Sequence, residues 1–223
     1  LVILAVPGVA MAAILRRVLP APERPEDRPA PASSERPAYR AIALLVAASG
    51  LRAWAIFGSV AYLPTVLTLR GIDLVTANLL VSGMLIAGVV GQLVGGALSD
   101  RYGRKEYTIL GLVTAIPPFV VFLSTDGILS LVALMIFGFI LWSTFAVTVA
   151  MAHEIAPGNV GLVSGLMLGL AVGVGGMGVA VTGWIADLTA SLPLGLTTIP
   201  LAIGLAFPLF LAVPYPWKSL SRG

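Results

Sequence analysis

Residues 96–105 read Gly96-Ala97-Leu98-Ser99-Asp100-Arg101-Tyr102-Gly103-Arg104-Lys105 and lie between two long apolar segments. Asp100, Arg101, Arg104 and Lys105 crowd charge into one short turn. Gly103 supplies the backbone freedom that a tight reversal at Tyr102-Gly103-Arg104 requires. Asp100 stands at the end of the preceding segment, where the dipole of a helix disfavours a negative charge. It therefore needs a partner, supplied by Arg101, Arg104 or the N-terminus of a neighbouring helix.

The segments on either side set the fold class. The 223-residue chain is 58% hydrophobic and only 10% charged, with a mean hydropathy of +1.02. Its apolar runs reach the roughly 20 residues a helix needs to cross a hydrocarbon core. Period-2 alternation is scarce, which argues against a β-barrel. Backbone groups in lipid must be satisfied internally, which leaves helices. We expect an all-α integral membrane protein with six full spans at 41–67, 73–99, 106–124, 128–151, 159–186 and 195–214. The chain has no cysteine, so disulfides, thiolate metal sites and thiol nucleophiles are excluded. The pI near 9.6 reflects basic loops and gives no reason to expect nucleic acid as a partner.

Residues 1–15 are apolar and end at Arg16-Arg17. As a helix they would rise only about 22 Å, so they read as the end of a transmembrane helix whose start is missing. A signal peptide is the rival reading, but the positive charges follow the apolar run instead of preceding it. Residues 16–40, rich in Pro, Arg, Glu, Asp and Ser, read as a solvated linker. The six-span bundle then occupies 41–215, and 216–223 form a tail. Arg16, Arg17, Arg24, Arg28, Arg36, Arg40, Arg101, Arg104, Lys105, Lys218 and Arg222 fall on one side and Arg70 alone on the other. That asymmetry makes the linker, the 100–105 turn and the tail cytoplasmic.

The pattern Gly-x-Leu-Ser-Asp-Arg-x-Gly-Arg-Lys resembles the signature loop of the major facilitator superfamily of secondary transporters. A partial helix, a polar linker and six spans is the layout of the C-terminal half of a twelve-helix facilitator. The stretch His153-Glu-Ile-Ala-Pro-Gly-Asn-Val-Gly-Leu-Val-Ser-Gly, with the Gly-rich run after it, is similar to fosmidomycin-resistance-type efflux proteins. The resemblance implies a multi-pass protein of the plasma (cell inner) membrane. It would complete itself with an N-terminal half and export a drug or metabolite by alternating access, usually as a proton-driven antiporter. It also implies that Gly96, Asp100, Arg101, Gly103, Arg104 and Lys105 latch the two halves together in one transport state. The plain alternative is a basic loop that only sets topology.

Two spans carry small residues every fourth position. The second has Gly83, Ala87, Gly91, Gly95 and Ser99; the fifth has Gly161, Gly165, Gly169 and Gly173. Such stripes let helices approach closely. They serve either a sliding interface with the other half or static packing within this one.

Arg52 is the one charge deep in a span, about 18 Å along a helix from Arg40. A charge there costs about 2.5–3.5 kcal/mol on insertion scales, which calls for a cavity, a partner or a substrate anion. Structural pairing within the bundle is the other reading. Trp54, Tyr62, Gln92, Trp142, Ser143, Thr144 and Thr148 are further candidates to line a cavity. His153, the sole histidine, is read as a surface residue at a helix end, with a proton relay as the sharper alternative.

Asp73, Asp100, Glu106, Asp126, Glu154 and Asp187 all fall near span ends, so a titrating carboxylate for proton coupling is expected in the other half. Neither a metal cluster nor a cofactor is expected, and no Gly-Lys-Ser/Thr loop supports ATP-driven transport. An enzyme is not expected. The alternatives to an exporter are an importer of a small anionic metabolite and a non-transporting membrane scaffold assembled through its Gly-rich helices.

Overall fold

The computed structural model describes residues 39–217. The chain divides into two units, Leu1–Glu35 and Arg36–Gly223, and the following concerns the second. The expected partial helix at 1–15, the linker up to residue 38 and the tail beyond Trp217 lie outside the described residues.

Six helices are long and apolar enough to cross a membrane: α1 (Tyr39–Leu69), α2 (Leu74–Tyr102), α3 (Arg104–Ser124), α4 (Gly127–Ile155), α5 (Pro157–Thr189) and α6 (Leu192–Ala212). Each contains one expected span, except that α2 starts one residue late, with Asp73 as its cap, and α6 stops before residue 214. Tyr39 and Arg40, expected in the linker, already belong to α1. The expected loop at 100–105 shrinks to Gly103, with φ +109°. Its amide still bonds to Ser99 O at 2.9 Å. A single glycine therefore reverses the chain, and the charges on either side ride on helix ends.

α5 is not uniform. A five-residue π segment, Leu166–Leu170, interrupts it. Gly165 and Gly169 flank and occupy the segment with no side chain to resist the wider turn, and π segments concentrate at functional places. α6 is broken at Thr197, between Leu192–Leu196 and Thr198–Ala212.

The helices pack as two related sets of three. α1 crosses α5 and α6; α4 crosses α2 and α3; α1 meets α4, and α3 meets α6. Position by position, Gly50 of α1 faces Val174 of α5, and Gly138 of α4 faces Met84 of α2. Trp54 covers Gly178, and Trp142 covers Gly88. The α1 residues recur 88 positions later in α4, and the α2 residues recur 90 positions later in α5. Three helices per repeat is an odd number, so the repeats run in opposite senses through the membrane, as in many transporters.

α1 is the most enclosed helix, with 67% of its most apolar stretch buried, against 22% for α5. The core is aliphatic and aromatic: Leu45, Ile56, Leu63, Met84, Phe119, Phe122, Phe137 and Phe210 are fully buried. Phe119 and Phe137 lie with ring centroids 4.6 Å apart.

Candidate functional site

At the signature end, Arg104 is the hub. It pairs with Asp100 at 3.1 Å and with Glu154 at 3.1 Å, joining the ends of α2, α3 and α4. The adverse dipole at Asp100 is thus met by a cation one helical turn on, across the Gly103 break. Arg101 lies over the Tyr102 ring, and Arg104 is an ion-pair partner of Asp100.

Lys105 does something the sequence did not suggest. Only 3% exposed, it donates to Leu211 O at 2.9 Å and Val213 O at 2.7 Å. A buried ammonium thus satisfies carbonyls that the end of α6 leaves without intrahelical partners. The ammonium also stands 4.5 Å from the Trp217 ring centroid, and the Tyr215 hydroxyl donates to Glu154. A cavity of about 360 Å³ here is lined by Asp100, Arg104, Glu154, Tyr215 and Trp217, with Ser99 beside them.

The opposite end carries a matching arrangement. Arg70 donates to Phe122 O, Leu123 O and Thr125 O, at 2.9, 3.2 and 3.2 Å, and to Ser130 Oγ at 2.9 Å. It also faces Asp126 at 3.6 Å. Leu123 and Thr125 at the end of α3 correspond, 88 residues on, to Leu211 and Val213 at the end of α6. Both helix ends are held by a buried or half-buried cation, delivered from different elements.

Within the bundle, Arg52 is 1% exposed, against α4. Its Nη2 is 3.4 Å from Thr148 Oγ1, and the Phe145 ring lies 5.1 Å from its guanidinium carbon. Among the described residues, Nε and Nη1 have no hydrogen-bond partner, nor does the buried Ser49 hydroxyl one turn away. Arg52 corresponds by repeat to Ile140. The packing residues recur between the repeats, and this charge does not.

The other cavity candidates go to separate contacts. Trp54 Nε1 donates to Thr182 Oγ1 at 2.8 Å, and Tyr62 donates to Val179 O at 3.1 Å; both tie α1 to α5. Trp142 lies against Gly88. Ser143 accepts from the Tyr107 hydroxyl at 2.9 Å, and Thr144 packs on Gly111 of α3. Gln92 is half-buried on α2. A cavity of about 620 Å³ at the ends of α1 and α5 away from the signature reversal is lined by Tyr62, Thr65 and Asp187, among others. His153 meets Ser164 of α5 at 2.8 Å, so it bridges two helices and is not merely a surface residue. Among the described residues no acidic or imidazole cluster could hold a metal.

The two glycine stripes part company. Gly91 and Gly95 press on the backbone of Phe139 and Ser143, with no room for a Cβ, and Gly83 touches Met135. This stripe is packing inside the bundle, α2 on α4. Gly161, Gly165, Gly169 and Gly173 have nothing among the described residues within 4 Å of where a Cβ would stand.

A six-helix membrane bundle of inverted repeats, with a charged reversal at the end of its second helix, defines half of a secondary-transporter fold. The chain belongs to the Major Facilitator Superfamily, whose sequence model matches residues 1–177. It is 40% identical over 125 residues to the fosmidomycin resistance protein of Escherichia coli (strain K12), covering 54% of this chain and 30% of that protein. It is 39% identical over 124 residues to the uncharacterized MFS-type transporter YfnC of Bacillus subtilis (strain 168), covering 55% of this chain and 28% of that one. These alignments take in less than a third of either relative's length. The fold matches the crystal structure of the transporter FucP in its outward conformation, with a TM-score of 0.78 and 16% identity over 93% of this chain and 52% of FucP.

Proposed function

We propose that this chain is one half of a transporter that exports a small molecule from the cell by alternating access. The observation that carries this reading is the open glycine face of α5. A stripe built for close helix approach stands uncovered among the described residues, while the similarly spaced stripe on α2 is filled. A second six-helix bundle lying against α5 would cover it, and the substrate path would run between the bundles near the membrane midplane. The match to only 52% of FucP supports a missing second bundle. The fosmidomycin resistance relative supports efflux. On this reading the signature end is cytoplasmic, the membrane is the plasma membrane, and any coupling proton titrates in the other half.

A specific observation favours an anionic substrate: Arg52 is a buried cation with two nitrogens unpartnered among the described residues and no carboxylate deep in any described span. The same observation would serve an importer of anionic metabolites, so direction is decided by assay.

The test is substrate flux in sealed vesicles containing this chain alone, a matching N-terminal half alone, or both. We expect flux only when both are present. Robust flux from this chain alone would overturn the half-transporter reading. Absence of flux in every arm, with both halves inserted, would leave a scaffold.

A further inference from the structure

The residues after α6 do not trail away from the bundle. We propose that Val213–Trp217 is a strap, seated across the signature reversal, that buries Lys105 and holds Glu154 where it receives Arg104.

Two separate anchorages carry this. In the first, Lys105 donates to carbonyls on both sides of the end of α6, Leu211 and Val213. The Trp217 indole then closes over the ammonium, an arrangement favourable to a desolvated cation. Lys105 is 3% exposed, although it stands in the first turn of a helix, beside Arg104 and Glu106. Without the carbonyls and the indole its buried ammonium would lose the groups that replace its water. In the second anchorage, the Tyr215 hydroxyl donates to the Glu154 carboxylate, whose other oxygen takes Arg104. Burial, and after it the bond to Glu154, push the Tyr215 phenol well above its ordinary range. The phenol therefore keeps its proton and remains a donor.

The opposite end of the bundle shows why this is more than an ordinary helix cap. There the equivalent α3 carbonyls are held by Arg70, which comes from the turn between α1 and α2. The end of α6 is instead held by the signature reversal itself. The strap thus couples α6 to the group of charges that joins α2, α3 and α4. When it lifts, Lys105 becomes accessible and Glu154 loses the donor that shares it with Arg104. The consequence for transport rests on the proposed function; the seating of the strap does not.

The chain has no cysteine, so a reporter thiol can be placed cleanly. Ser99, 2% exposed, lines the cavity under the strap. The full chain is reconstituted in nanodiscs as wild type, Tyr215→Phe, Trp217→Ala and Trp217→Phe. Each is also made with Ser99→Cys. Lys105 acylation is followed by peptide mass spectrometry against the detergent-unfolded chain. Alkylation of the introduced thiol is followed with a small charged reagent.

Both rates should rise about tenfold in Tyr215→Phe and Trp217→Ala, as expected for a local opening that loses one anchorage. Trp217→Phe, which keeps a ring over the ammonium, should stay near wild type. Tyr215→Phe removes a single oxygen at the bundle's edge, so the measurement stands on that variant even where Trp217→Ala fails to fold. Unchanged rates at Lys105 and at the introduced thiol in Tyr215→Phe, or in a folded Trp217→Ala, overturn the strap whatever flux does. Raised rates uphold it even if the chain transports nothing.

Discussion

Trp54 and Trp142 stand in equivalent places in the two repeats, each with its indole laid against a glycine of the helix it crosses. Gly178 leaves no room for a Cβ beneath Trp54, and a Cβ on Gly88 would lie 2.8 Å from Trp142. The two crossings are the same device used twice. Among the described residues only the first is fastened by a hydrogen bond, from Trp54 to Thr182, which in turn meets Thr198 of α6 at 2.8 Å.

That bond gives the first prediction. Trp54→Phe keeps a ring over Gly178 but removes the donor to Thr182. The bundle should lose about 1 kcal/mol, the usual net worth of one buried hydrogen bond. Thermal unfolding in detergent measures it. A loss near zero would mean that the ring alone holds α1 to α5.

The glycine stripes should respond in opposite ways. Gly91→Ala places a methyl against the Phe139 backbone and should cost about 1–3 kcal/mol through overpacking. Gly173→Leu meets no described neighbour, so the stability of this chain should hold while flux with the second half is lost. Thermal stability and flux on both variants decide. Equal destabilisation by the two would show that α5 is covered from within the chain.

Arg52 should separate stability from function. Replacing a poorly partnered buried ion by an apolar residue of similar volume is often neutral or stabilising, by up to about 4 kcal/mol. Arg52→Met should therefore hold or raise thermal stability. With both halves present it should lose binding of anions at least tenfold more than of neutral solutes, measured over a panel of purified ligands. Reduced stability with unchanged anion affinity would return Arg52 to a structural role.

Asp100→Asn leaves Arg104 its bond to Glu154 but removes the α2 end from the ion-pair group. Insertion and expression should stay intact while flux through the assembled transporter falls several-fold. Wild-type flux in a well-inserted variant would reduce the reversal to a topology signal.

Asp73 supplies a pH dependence. Its carboxylate caps α2 by accepting the Thr76 amide at 2.9 Å, and that backbone hydrogen bond, first among the causes, holds the carboxyl below its ordinary range. A depressed acid contributes stability above its unfolded pKa, about 4, and loses it as pH falls through the folded value. Hydrogen exchange of the first turn of α2 should therefore quicken in that acid window. Asp73→Asn, which still caps, should flatten the profile. An unchanged profile would show that the cap does not govern fraying there.

Much of the architecture was legible in the order of residues. Runs long enough to cross a bilayer announce the helices without any tertiary knowledge. Gly103 as a reversal point was readable because a glycine stands in the middle of the charged run. What could not be read was which helix each face meets. The stripes on α2 and α5 look alike along the chain, yet Phe139 and Ser143, tens of residues away, decide that one is filled. Arg52 announced its cost but not its neighbours, because Thr148 lies 96 residues on. Lys105 looked like one more topogenic charge, since nothing near it in sequence foretells the carbonyls of Leu211 and Val213. The internal repeat is hard to read along the chain because only a few scattered residues carry it, such as Gly50 and Gly138, Trp54 and Trp142, and Gly88 and Gly178.

The indole–glycine crossings also constrain how this sequence can drift. Residue 178 can grow only if residue 54 shrinks, and the same exchange binds 88 to 142, so each pair behaves as one shared volume across two distant stretches of chain. A chimaera that takes α5 from a relative while keeping α1, or a random library that varies one without the other, will mostly yield misfit. Segments exchanged as crossing pairs, α1 with α5 or α2 with α4, should recombine far more freely than segments adjacent in sequence.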